Sequence, residues 1–126
     1  MKSLRIILFV VAMLCCQIVW AAPKGTILYV PLDNRPVCLS YAVATMEKAG
    51  WEVKTPPLEY IAGLEKGGDP EALFAWLVDN ADESLAMVIS SDALIYGGLV
   101  DSRTHNLPLE VLRARADRLV ELKKEF

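Results

Sequence analysis

A single histidine, His105, and three cysteines are all that 126 residues offer to metal and thiol chemistry. One imidazole excludes a multi-histidine metal cluster, and a Ser–His–Asp relay would have to run through His105 itself. Cys15 and Cys16 lie in an apolar leader, so Cys38 has no partner for an internal disulfide, which excludes a disulfide-stapled miniprotein. No basic stripe interrupts the chain and its formal net charge is −3, so nucleic acid is excluded as an expected partner. Internal repeats and low-complexity tracts are absent as well. With 54% hydrophobic and 23% charged residues, the composition is that of a globular chain.

Part of the apolar share belongs to the leader. Lys2 and Arg5 form a short basic start, and residues 6–20 carry no charge. Val19-Trp20-Ala21 presents compact residues before a cut, with Ala22-Pro23 following. These are the three parts of a secretory signal. The run falls short of the ~20 apolar residues of a membrane span; an uncleaved anchor is the rival reading. Leu14 before Cys15 argues against a lipoprotein. The expected organisation is a signal peptide over residues 1–21 and an α/β domain over residues 22–126. Cleavage removes Lys2 and Arg5, taking the net charge from −3 to −5. The expected location is periplasmic or extracellular, with no stable membrane span after cleavage.

Downstream, TILYV (residues 26–30) is a β-branched apolar run between Gly25 and Pro31, suited to a buried parallel strand. Residues 39–49 show helical spacing at Val43, Met46 and Ala49, and Gly50 supplies a stop. WEVK (51–54) alternates like a second strand, closed by Pro56-Pro57. A loop over 58–68 precedes Asp69-Pro70-Glu71, which combines an N-cap, a first-turn proline and a first-turn acid. Leu73, Trp76 and Leu77 mark that helix's inner face. LAMVI (85–89) reads as a third strand, 90–106 as a long loop, and Leu109, Leu112, Ala116 and Leu119 stripe a last helix. It runs to Phe126 without a Gly or Pro stop, the pattern of a domain cut short at its C-terminal end. Strand and helix alternate, which predicts a three-layer, Rossmann-like βαβαβα fold with a small parallel sheet of order 2-1-3.

In such sheets ligands bind beyond the carboxyl ends of the strands. The unusual polar residues sit there: PLDNRP (31–36) after strand one, and SSDALIYGGLVDSR (90–103) after strand three. Asp33 is either an Asx turn or a crevice carboxylate serving as general base. Arg35 either pairs with it or grips a polar substrate group. Asp92 is an N-cap or a second catalytic carboxylate. Gly97-Gly98 marks a tight turn, or a close backbone approach to an anion; no phosphate-loop Lys-Ser/Thr signature accompanies it. Tyr96 is core or a ligand-stacking phenol, Ser102 and Arg103 are solvated or substrate-facing, and Asn34 lies beside Asp33. Cys38 reads as a buried filler, His105 as a surface residue. No cofactor and no metal are expected.

YVPLDNRP (29–36) resembles the VPLD-x-RP opening of a bacterial family, domain of unknown function 4127, and residues 90–103 are similar to its second hallmark, S-x-D-x-L-x-YGGL-x-x-SR. Ser90, not the adjacent Ser91, fills the first position of that pattern. Pro56-Pro57 also fits. The resemblance implies the amino-terminal portion of a longer protein. It further implies that Asp33, Arg35, Asp92, Tyr96, Gly97, Gly98, Ser102 and Arg103 occupy hallmark positions. It implies a site and no particular reaction. The expected function is that of an exported hydrolase acting on a carbohydrate or cell-envelope polymer, with Asp33 and Asp92 as the carboxylate pair. Arg35, Arg103 and Tyr96 would position the substrate. The alternatives are a non-catalytic binding module for a small polar ligand and an inactive truncated fragment.

Overall fold

Parallel pairing around one central strand organises the chain. In the computed structural model, which describes residues 22–125, β1 (Thr26–Val30) pairs with β2 (Glu52–Lys54) on one side and β3 (Ala86–Ile89) on the other. The order is β2-β1-β3, as the alternation of elements predicts. Ile27 stands opposite Val53 and Ala86, and Val30 opposite Ile89, so both outer strands run in step with β1. Two crossovers link the strands: α1 (Ser40–Lys48) joins β1 to β2, and α2 (Pro70–Asn80) joins β2 to β3.

The start of α2 follows its sequence signature: Asp69 accepts hydrogen bonds from the backbone N–H groups of Glu71 and Ala72, each at 3.1 Å, and Pro70 occupies the first helical turn. Its inner face is Leu73, Phe74 and Leu77, with Trp76 half-buried beside them. Phe74, 2% exposed, is the principal aromatic anchor, with the Arg118 guanidinium 4.2 Å from its ring centroid. The expected 90–106 loop contains two short helices, α3 (Ser91–Ile95) and α4 (Asp101–Thr104). The Ser90 hydroxyl caps α3, accepting from the Ala93 N–H at 3.4 Å. A final helix, α5 (Leu109–Glu125), lies against α3.

One face of the sheet carries the core. Leu28 and Val30 of β1 meet Leu73, Phe74 and Leu77 of α2, Ala93 and Leu94 of α3, and Leu122 of α5. Each fully buried Leu or Phe contributes about 1.5–3 kcal/mol relative to exposure. Tyr29, pointing the other way by strand alternation, donates its hydroxyl proton to the Cys38 carbonyl at the foot of α1. None of the residues of α1 is buried, so this second face is thinly covered and Val88 is 47% exposed. The stripe of α5 holds beyond its first residue: Leu109 is exposed, but Leu112, Ala116 and Leu119 are half-buried, and Leu122 extends the stripe into the core. Among the described residues no helix is long and apolar enough to cross a membrane. The leader lies outside the described residues.

Candidate functional site

The turn after β1 is built on Asp33. Its Oδ1 accepts from the backbone N–H of Arg35 at 3.0 Å, an Asx turn, and its Oδ2 accepts from Arg35 Nε at 2.9 Å. Arg35 Nη2 lies 2.7 Å from the same oxygen. Both local readings of Asp33, turn former and ion-pair partner, therefore hold together. The residue is only 7% exposed. The Arg35 guanidinium holds the Asp33 carboxyl below the ordinary carboxylate range, against a smaller opposing effect of burial, and Asp33 in turn raises Arg35. Arg35 Nη2 also approaches Cys38 Sγ at 3.9 Å. Burial pushes the Cys38 thiol up, with Asp33 adding to the effect. Burial likewise raises the Tyr29 phenol.

A segment read from sequence as a linker supplies the second wall. The Asn34 N–H donates to the Ala62 carbonyl at 2.8 Å, and the Gly63 N–H donates to Lys66 O at 2.7 Å, closing a tight turn. Lys66 Nζ is held by the Glu59 carbonyl at 3.1 Å. The Gly68 N–H then donates to Gly97 O at 2.8 Å, tying this loop to the segment after β3. Close approach demands glycine at two places. Gly98 has φ +145°, and a Cβ there would lie 2.5 Å from Ala62 Cβ; a Cβ on Gly68 would lie 2.6 Å from the Gly97 carbonyl oxygen, whereas one on Gly67 would meet only the movable Asp101 carboxylate oxygens, at 2.9 Å.

These three segments enclose a polar crevice of about 190 Å³, walled by Asp33, residues 62–67 and residues 99–101. A smaller lobe of about 90 Å³ continues past Asp33 to Arg35. Asp33 and Asp101 thus line one cavity. Asp101 is half-buried and enters no ion pair among the described residues. It belongs to the second hallmark string, and its place before Ser102-Arg103 in a glycine-rich turn was the available signal; residues 62–67 gave only Gly67-Gly68.

The remaining sequence candidates stand nearby in other roles. Asp92 is not among the residues lining the crevice. Its carbonyl accepts from the N–H groups of Tyr96, Gly97 and Gly98 at 3.0, 3.1 and 3.2 Å, so its backbone shapes the diglycine turn and occupies those amides. Tyr96 stacks on His105, ring centroids 4.9 Å apart, and His105 Nδ1 accepts from the Leu107 N–H at 3.3 Å. Ser102 donates to Leu99 O at 2.8 Å, which steadies the Leu99 wall, while Arg103 is exposed. Asn34 is exposed at the crevice margin, its amide 3.2 Å from where a Gly63 Cβ would stand. Among the described residues, no three His, Cys, Asp or Glu side chains converge to hold a metal ion.

A family model described as "Protein of unknown function (DUF4127)" matches residues 27–126, which takes in the Asp33 turn, the 62–67 loop and the Asp101 segment. The chain belongs to the DUF4127 family. Both hallmark strings of this DUF4127 member therefore fall inside the match, and the crevice lies between them. No curated protein and no solved structure matches the chain.

Proposed function

We propose that this DUF4127 member is an exported protein whose crevice binds a small, hydroxyl-rich ligand of the carbohydrate or cell-envelope class. The observation that carries the reading is the Asp101 carboxylate, free of any ion pair among the described residues, on the wall of a polar crevice beside the Asp33–Arg35 pair. A carboxylate accepts from two hydroxyls at once, and such charge-assisted bonds are about twice as strong as neutral ones. The crevice is smaller than the ~300–1,000 Å³ typical of drug-sized ligands, which fits one sugar ring or the end of a glycan. Export rests on the basic start, apolar run and small-residue exit of residues 1–21.

Hydrolysis of that ligand is the second reading, favoured by two carboxylates facing one cavity. Glycoside cleavage needs an acid with a raised pKa and a second, ionised carboxylate. Asp33 is held ionised by Arg35, which suits it to the ionised partner of this scheme, and Asp101 is the second carboxylate on the same cavity. The pair first read as Asp33 and Asp92 makes a different demand, which mutagenesis separates.

Two measurements decide between the readings. Titration with glucosamine, N-acetylglucosamine and N-acetylmuramic acid, followed by amide NMR, should shift the resonances of Asn34, Gly63, Gly67 and Asp101. Nitrophenyl glycosides and purified peptidoglycan report turnover. Asp101→Asn should remove binding or turnover and Asp92→Asn should leave both unchanged. Shifts confined to residues outside the crevice would overturn the assignment, and binding without turnover leaves the protein a binding module.

A further inference from the structure

Residues 97–104 leave the body of the domain after α3 and return toward α5, and the two ends of this loop touch. Tyr96, which closes α3, stacks on His105, which closes α4, with ring centroids 4.9 Å apart and planes tilted by 33°. Both residues are half-buried. Compact loops whose ends adjoin are packed by their own side chains. The two halves of this one are fastened differently. Its near half is tied to the body: the Asp92 carbonyl accepts from the Gly97 and Gly98 N–H groups, and Gly97 O accepts from the Gly68 N–H. The far half has no such tie. Among the described residues, every hydrogen bond of residues 99–104 finds its partner within residues 98–105. Asp101 and Arg103 enter no ion pair among those residues either. A single helical turn such as α4 is not stable by itself, so something else must hold it in place.

The ring contact supplies that hold. Aromatic pairs favour centroid separations of about 4.5–7 Å with offset or tilted planes, and this pair meets both conditions. The imidazole is itself oriented: its Nδ1 accepts from the Leu107 N–H at 3.3 Å, which puts the ring proton on Nε2. Neither Tyr96 nor His105 lines the crevice. We infer that the two are positioning residues: their stack clasps the loop shut and so keeps Asp101, at the start of α4, on the crevice wall. The consequence for binding rests on the crevice being the ligand site; the clasp itself does not. Tyr96, expected from sequence to meet ligand, then acts through Asp101, and the chain's single histidine has a task away from metal and proton chemistry.

Amide hydrogen exchange on the ligand-free protein, followed by NMR, reads the clasp directly. Tyr96→Ala removes one ring; His105→Asn removes the other and keeps an acceptor for Leu107. Each should speed exchange of the Ser102 and Thr104 amides roughly two- to twelvefold, the worth of an aromatic pair expressed as a ratio, and leave the β1 amides unchanged. Tyr96→Phe and His105→Phe keep both rings and should exchange at the wild-type rate. Since the pair is one contact, combining Tyr96→Ala with His105→Asn should add little to either change alone. The Asp101 carboxyl carbon should shift its resonance in the loosened variants and stay in place in the phenylalanine ones. His105→Asn keeps the test open should Tyr96→Ala fold poorly. Wild-type exchange in His105→Asn, fully additive losses, or an Asp101 resonance unmoved while the loop amides open would overturn the inference. If the wild type binds one of the three amino sugars, affinity should fall in the two loosened variants alone, and undiminished binding would overturn the positioning role. A wild type that binds none removes the crevice reading, while the exchange rates still decide the clasp.

Discussion

A methyl group added at Gly98 and one added at Gly67 should have opposite consequences, although both glycines border the crevice. At Gly98 the backbone has φ +145°, and the new Cβ would lie 2.5 Å from Ala62 Cβ, where carbon atoms normally rest about 3.5–4.0 Å apart. A disfavoured backbone conformation costs about 1–3 kcal/mol and overpacking a similar amount. Gly98→Ala should therefore lose roughly 2–6 kcal/mol, a large part of the ~5–15 kcal/mol that holds a domain folded. At Gly67 the nearest atoms are the Asp101 oxygens at 2.9 Å, the mobile end of a side chain. Rotation of that carboxylate relieves the contact, and the stiffer unfolded chain returns about 0.4–1 kcal/mol. Gly67→Ala should stay within about 1 kcal/mol of the wild type. It should nonetheless displace Asp101 and forfeit one charge-assisted hydrogen bond to ligand, about 1.5–3 kcal/mol, or roughly ten- to a hundredfold in affinity. Urea denaturation gives the stabilities, and the NMR titration gives affinity for whichever of the three amino sugars binds the wild type. Equal destabilisation by both changes, or undiminished binding by Gly67→Ala, would refute the geometry.

Other expectations follow from single contacts. Because Arg35 depresses the Asp33 carboxyl, the pair's stabilisation is complete above the unfolded carboxylate value of about 3.9 and fades as pH falls through the lower folded value. Asp33→Asn should accordingly flatten the acid limb of a stability–pH profile below about pH 4; an unchanged limb would deny the linkage. Asp69→Ala removes the α2 cap and should cost about 1 kcal/mol by urea titration. Leu94→Ala empties a fully buried position between β1 and α5 and should cost about 2–5 kcal/mol. Cys38, half-buried with its thiol raised by burial, should react with iodoacetamide more slowly than a free cysteine at neutral pH.

Much of the scaffold was legible because its signals are local. TILYV between Gly25 and Pro31 became the central strand, and Asp69-Pro70-Glu71 began a helix at the expected place. Parallel pairing followed from alternation, and the order β2-β1-β3 from the Rossmann-like reading of it. Phe74 was missed because a five-residue window cannot settle helix rotation; the packing of α5 over its ring does. The short helices α3 and α4 were missed because fewer than six residues carry no periodicity; the Ser90 cap and the Asp92 carbonyl help hold α3, and the Val100 and Asp101 carbonyls hold α4. At the site, Asp33 and Arg35 were visible as neighbours two positions apart. Asp101 and residues 62–67 were not. Their meeting depends on long-range backbone bonds, Asn34 to Ala62 and Gly68 to Gly97, which leave no mark in spacing.

Those same main-chain bonds divide labour within the crevice. Its frame is made of amides, carbonyls and glycines, whereas several surfaces presented to a guest are side chains free of structural duty, among them Leu64, Glu65 and Val100. Recognition can therefore drift while the scaffold stays constant. A library randomised at those three positions should keep a nearly uniform melting temperature and still spread widely in ligand preference. Gly68 and Gly98 permit no such variation, so new specificity in this architecture arises by exchanging what lines the cavity, leaving untouched the strands and turns that hold it open.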